Sequence, residues 1–150
     1  MLTSRDSIDL LSLFGNYKVR YLVVGGYAVM RYADPRFTKD IDLWVATDHE
    51  NAAAVFTALK AFGAPLAGLS PEDFTLQGYF YQMGMPPYRL DIMLSIPGVE
   101  FESAWNRREI ADIEGIPVPF ISRADLILSK KASGRPQDLL DVTNLEKDLK

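Results

Sequence analysis

The sequence contains no cysteine, which excludes a disulfide-stapled scaffold and a thiolate zinc site alike. Histidine is scarce too, and the single one, His49, follows Asp48 at the start of an expected helix and is assigned no role. No apolar run approaches the length of a membrane span, and the opening Met1-Leu2-Thr3-Ser4-Arg5-Asp6 lacks the apolar stretch of a signal peptide. A cytoplasmic protein with no membrane partner is expected. Positive charge is not in excess either: 16 basic against 20 acidic side chains leave a net charge of -4, which argues against broad, charge-driven nucleic-acid binding. A local basic patch would have to be built from Arg107, Arg108, Lys130, Lys131 and Arg135. Repeats, low-complexity tracts and linkers are missing as well, so residues 1–150 are expected to form a single domain.

What is present is ordinary globular material. Folding at this length removes roughly two-thirds of the unfolded chain's surface from water, so the core needs no covalent staple. Residues Arg5 to Phe14 place Leu10, Leu13 and Phe14 on one helical face, with Ser4 or Asp6 as N-cap. Val19 to Val24 reads as a β-branched, apolar strand, broken by Gly25-Gly26 before a helix from Tyr27 to Tyr32. Asp34-Pro35 closes that helix, because proline cannot continue it. Thr47 or Asp48 caps a further helix from Glu50 to Phe62 that buries Ala52, Val55, Phe56 and Leu59, and Gly63 ends it.

Downstream, Tyr79 to Met83 and Tyr88 to Ile96 form an expected hairpin around Gly84-Met85-Pro86-Pro87, and Phe101 to Arg108 a short helix. Ile110 to Ile113 and Pro117 to Ile121 flank a tight turn at Glu114-Gly115. Ser122 caps a helix to Ala132, Gly134-Arg135-Pro136 interrupts it, and Gln137 to Leu149 is the last helix.

Chemistry concentrates in three places. From Asp40 to Ala46 side chains alternate between faces, so Asp40, Asp42 and Trp44 share one side, opposite Ile41, Leu43 and Val45. Two carboxylates at i and i+2 of a strand aim at one point, the arrangement of oxygen ligands that a hard divalent cation such as magnesium requires. Unpaired they would repel, so a metal is their natural partner. The same parity puts Arg89, Asp91 and Met93 on one side of their strand, offering a third carboxylate. Finally, a strand that ends in Gly25-Gly26 and opens a helix presents uncrowded backbone N–H groups and the positive end of a helix dipole, which suits phosphate. Arg36, Thr38 and Lys39, just before the aspartates, stand where a cation would meet that phosphate.

Val23-Val24-Gly25-Gly26, followed by Thr38-Lys39-Asp40-Ile41-Asp42-Leu43-Trp44-Val45, resembles the nucleotidyltransferase superfamily. Lys130-Lys131-Ala132-Ser133-Gly134-Arg135-Pro136-Gln137-Asp138 looks like the tail of its minimal and abortive-infection-toxin-like branches, so the resemblance runs from Tyr21 to Leu145. It implies an α+β fold, a mixed β-sheet flanked by helices. It implies that Gly25 and Gly26 contact the triphosphate of a nucleotide and that Asp40, Asp42 and Asp91 bind two magnesium ions, while Arg36 and Thr38 are expected as further nucleotide contacts from their position just before the aspartates. Asp91 would be the general base. A lysine from the penultimate helix, Lys130 with Lys131 second, would reach the site, and Asp138 matches a further acidic position. The implied reaction moves a nucleoside monophosphate from a nucleoside triphosphate to an acceptor hydroxyl. Relatives modify antibiotics, RNA 3′ ends or protein side chains, and several are toxins paired with an antitoxin. The alternative is a non-catalytic relative that binds a partner, against which the three clustered carboxylates argue, since unpaired acids cost stability and have no packing value.

Overall fold

The computed structural model describes residues 4–33, 40–85 and 88–147. Arg36, Thr38 and Lys39, and the hairpin prolines Pro86 and Pro87, therefore lie outside the described residues.

Helix α1 (Ser4–Asn16) buries Leu10, Leu11 and Phe14, and the four apolar residues of β1 (Tyr21–Val24) are all buried. Helix α2 (Gly25–Tyr32) begins directly on the glycine pair, and β2 (Asp40–Val45) carries the two aspartates. In α3 (His49–Phe62) the cap is Asp48, whose carboxylate accepts from the Asn51 N–H at 3.0 Å, and Gly63 ends the helix in the left-handed region. A 3₁₀ turn, Pro71–Thr75, is closed by reciprocal bonds between Ser70 and Asp73. Then come β3 (Phe80–Met85), β4 (Tyr88–Met93), α4 (Phe101–Asn106), β5 (Glu109–Ile113) and β6 (Ile116–Phe120). Two helices, α5 (Arg123–Ser133) and α6 (Pro136–Lys147), complete the described chain. Ser122 caps α5 through the Asp125 N–H.

All six strands join one mixed sheet in the order β3-β4-β2-β1-β6-β5, with β1/β6 and β2/β4 parallel and the other neighbours antiparallel. This is the α+β class expected from the sequence. The second hairpin strand is shorter than its apolar pattern suggests: it stops at Met93, and the Ser95 hydroxyl accepts from the Gly78 N–H beyond it.

Register fixes which residues share a face, because paired residues point the same way. Tyr21 pairs with Val45 and meets Phe14 of α1 edge-on at 5.2 Å, so Ile41, Leu43 and Val45 lie on the α1 side. The opposite face carries Val24, Asp42 and Asp91 in one row and Leu22, Trp44 and Met93 in the next. Trp44 shares a side with the aspartates, as alternation requires, yet it is fully buried. Phe101 of α4 packs edge-on against it at 5.0 Å. Toward the start of β2, Asp40 and Asp42 border a cleft on that face.

Candidate active site

The parallel pairing of β2 with β4 sets Asp42 beside Asp91 and Asp40 beside Arg89. Burial pushes the Asp42 carboxyl well above the ordinary carboxylate range. A shared hydrogen bond with Asp91 and the charges of Asp91 and Asp40 add to the rise, while Lys130 opposes it. Asp91 is fixed from the other side by Gln82 of β3, whose Nε2 donates to Oδ1 at 2.9 Å. Asp40 accepts from Arg89 Nη2 at 2.9 Å, and Arg89 Nε stands 3.7 Å from Asp91 Oδ1. Thus Asp42 and Asp91 are brought together, whereas Asp40 is engaged by an arginine. Among the described residues no three acids stand in a ready-made metal-binding group.

Gly25 closes the site from β1. Its φ of +71° lies in the left-handed region, and a Cβ there would collide with the Asp42 carboxylate, so only glycine lets the β1–α2 turn fold over that group. Helix α2 has Val24 at its N-cap with no side-chain cap bond, so no capping side chain takes up the N–H groups of its first turn. Gly26 is buried within that turn.

The facing wall comes from α5 and α6. A cleft of about 440 Å³ is bounded by Gly25, Gly26, Asp40 and Asp42 on one side and by Ser129, Lys130, Ser133, Arg135 and Asp138 on the other. Lys130 Nζ lies 3.1 Å from Asp141 Oδ2 and 3.4 Å from Asp138 Oδ1, both buried carboxylates. Burial disfavours the charged form of Asp138, but hydrogen bonds from Arg135 and Ser133 and the charge of Lys130 outweigh it and hold its pKa down at about 2. Lys131 points elsewhere, to Glu146 at 3.6 Å on the surface, so of the two lysines only Lys130 borders the cleft. Replacing Lys130 by Met should cost about 3 kcal/mol, because it removes the cation from the buried Asp141 and one of the two cations from Asp138, and urea denaturation measures that loss.

The five basic residues from which a patch would be built are largely committed. Arg107 grips Asp125 with Nε at 2.9 Å and Nη2 at 2.8 Å, Arg135 holds Asp138 at 2.7 Å, and Arg108 lies over the Trp105 ring at 4.0 Å.

Reading the sequence for acids missed three members of this site: Arg89, Gln82 and Asp141. Arg89 had a signal, since it lies two residues before Asp91 on the same strand face. Asp141 follows Asp138 by one helical turn and thus shares its helix face. Gln82 had none, as its place beside Asp91 comes from hairpin register.

Fold and site together define a class. Residues 6–146 match the family described as "Nucleotidyltransferase of unknown function (DUF6036)", and the chain belongs to that family. It is an enzyme of the transferase class. Its fold is shared with a lincosamide antibiotic adenylyltransferase, LnuA, solved with lincomycin (20% identity, 98% of each chain covered, TM-score 0.56). It is shared also with ANT(2")-Ia in complex with adenylyl-2"-tobramycin (15% identity, 99% of this chain and 91% of that one, TM-score 0.63). An antigenic nucleotidyltransferase-like protein from Paracoccidioides brasiliensis is similar as well (18% identity, 98% and 77% covered, TM-score 0.55). No curated protein sequence matches the chain.

Proposed function

We propose that this enzyme transfers a nucleoside monophosphate from a magnesium-bound nucleoside triphosphate to a hydroxyl of a small molecule. The observation that carries the reading is the meeting, in one cleft, of a glycine turn at a helix N-terminus, Asp40, Asp42 and Lys130, with Asp91 paired to Asp42 across the β2–β4 register. The donor set fits a hard cation. Two carboxylates held together until one is driven toward its protonated form are short of positive charge, and oxygen-only ligands suit magnesium. Asp42 and Asp91, with Asp40, would hold the ions, which when bound would polarise the α-phosphate and neutralise charge on the entering and leaving oxygens.

The protein's own groups do the rest. Backbone N–H groups at the start of α2 bind triphosphate oxygens, and Lys130 balances the charge of the departing pyrophosphate. Asp91, oriented by Gln82, takes the proton of the acceptor hydroxyl as its oxygen attacks the α-phosphorus. Arg36 and Thr38, expected nucleotide contacts, add to this reading from the sequence alone.

A small-molecule acceptor is favoured over RNA on two grounds. The cleft's volume is that of a site for a drug-sized ligand, and Arg107, Lys131 and Arg135 are each held by a carboxylate and so do not extend the cleft into a strip for an RNA backbone. The adenylyltransferases of the same fold were solved with lincomycin and with an adenylylated tobramycin, which supports the same acceptor class.

Incubation with each α-³²P-labelled nucleoside triphosphate, magnesium and a panel of hydroxylated small molecules tests the proposal. Label moving to a small molecule supports it, and label appearing only in RNA or protein rejects the acceptor assignment. Binding is separately measurable. A nucleoside triphosphate with magnesium, at a hundredfold excess over its Kd, should stabilise the fold by about 2.7 kcal/mol. The same nucleotide in EDTA should raise the melting temperature far less.

A further inference from the structure

We infer that Arg89 is a built-in, displaceable cation which holds the place of a metal ion between Asp40 and Asp91, so that divalent metal must compete with it to enter the site. The inference rests on the metal-dependent reading above and goes beyond it by naming what controls metal entry.

Three observations carry it. Arg89 is level with Asp40 across the β2–β4 pair and donates to its Oδ2 at 2.9 Å from Nη2. Its Nε reaches toward Asp91 but stops at 3.7 Å, beyond hydrogen-bonding distance. That Nε is buried and has no hydrogen-bond partner. The guanidinium is thus well bonded at one end and poorly at the other, although a buried N–H left unpaired is costly.

Such a compromise suits a stand-in. A guanidinium cannot lose its proton, so Arg89 neutralises the acids at every accessible pH, yet it is a single, spread charge with only N–H donors. A divalent ion brings twice the charge in a compact sphere and binds carboxylate oxygens directly, at about 2.0–2.1 Å for magnesium. It therefore outcompetes the arginine. With a third of its side chain, 33%, in contact with solvent, Arg89 withdraws toward water and not into the core. With Arg89 seated, only the fraction of molecules with Arg89 withdrawn is competent for the ion, and apparent metal affinity falls by that fraction.

The test uses Mn²⁺ alone as probe, without nucleotide, on the full chain and on Arg89→Met and Arg89→Lys. Titration calorimetry should show Arg89→Met binding Mn²⁺ at least about tenfold more tightly than the wild type, because a competitor is gone. The same variant should melt lower without metal and recover on adding it. Arg89→Lys keeps a cation and should stay within about threefold of the wild type in affinity. In the wild type itself, the Arg89 Nε–H NMR resonance, identified by its loss in Arg89→Lys, should move on titration with Mg²⁺. Equal or weaker Mn²⁺ binding by a cooperatively melting Arg89→Met overturns the inference. So does an Arg89→Lys that binds as tightly as Arg89→Met, or an Nε–H resonance that ignores Mg²⁺. Failure of all three proteins to bind Mn²⁺ would overturn the metal-dependent reading as well, whereas equal affinities overturn this inference alone.

Discussion

Replacing Asp40 and Asp42 together by Asn is expected to lower the rate of transfer at least about a thousandfold, a loss of ~4 kcal/mol of transition-state stabilisation, since the site loses the anionic oxygens that would hold its metal. Stability should move the other way for Asp42. Its folded-state pKa is pushed up to about 7 from an ordinary 3.8, by burial first and by Asp91 and Asp40 after it. A carboxyl raised in this way contributes stability that is fully present below its unfolded value and is lost as pH rises through its folded value. Metal-free wild type should accordingly lose stability between pH 4 and pH 8, and Asp42→Asn should flatten that slope and melt higher at pH 8. Asp138, held down at about 2, gives the opposite slope only below its ordinary value of 3.8, so the two windows separate. Thermal melts in EDTA across this pH range, with initial rates measured in magnesium, check both halves. A metal-free melting temperature independent of pH above 4 would contradict the electrostatic account of Asp42.

Gly25→Ala is the second substitution with a large expected effect. The left-handed backbone at Gly25 costs a non-glycine residue about 1–2 kcal/mol, and the new methyl group must also push the Asp42 carboxylate out of its place. Transfer should fall about a hundredfold or more, because misplacing a reacting group by as little as an ångström has that effect. Gly63→Ala separates the two causes. Gly63 has φ +93° at the end of α3, and a Cβ added there meets nothing within 4 Å. It should show a stability loss of similar size with unchanged turnover. If Gly25→Ala and Gly63→Ala lost stability equally and both kept full activity, the close approach of the glycine turn to Asp42 would have no functional weight.

Much of this architecture is legible in the residues. Apolar alternation and turn glycines mark all six strands, and the capping residues Asp48 and Ser122 mark the starts of α3 and α5, because these signals act within a few residues of the chain. Parity within β2 and β4 likewise puts Asp40 with Asp42, and Arg89 with Asp91. The Lys130 or Lys131 alternative was not decidable from the sequence, since neighbouring helical positions differ only by rotation about an axis whose partner was unknown. Packing of α6 against α5 turns Lys130 toward Asp138 and Asp141 and leaves Lys131 outside.

By itself, then, the sequence determined which segments form strands and helices and which side of its own strand each acid occupies, since these follow from local geometry, whereas the need for glycine at position 25 comes from the approach of Asp42. Only the tertiary structure decided that β4 lies parallel to β2 with Asp91 level with Asp42 and Arg89 level with Asp40. A shift of one residue in that register would turn Asp91 to the opposite face, and register across a crossover is set by how the whole sheet and its helices pack.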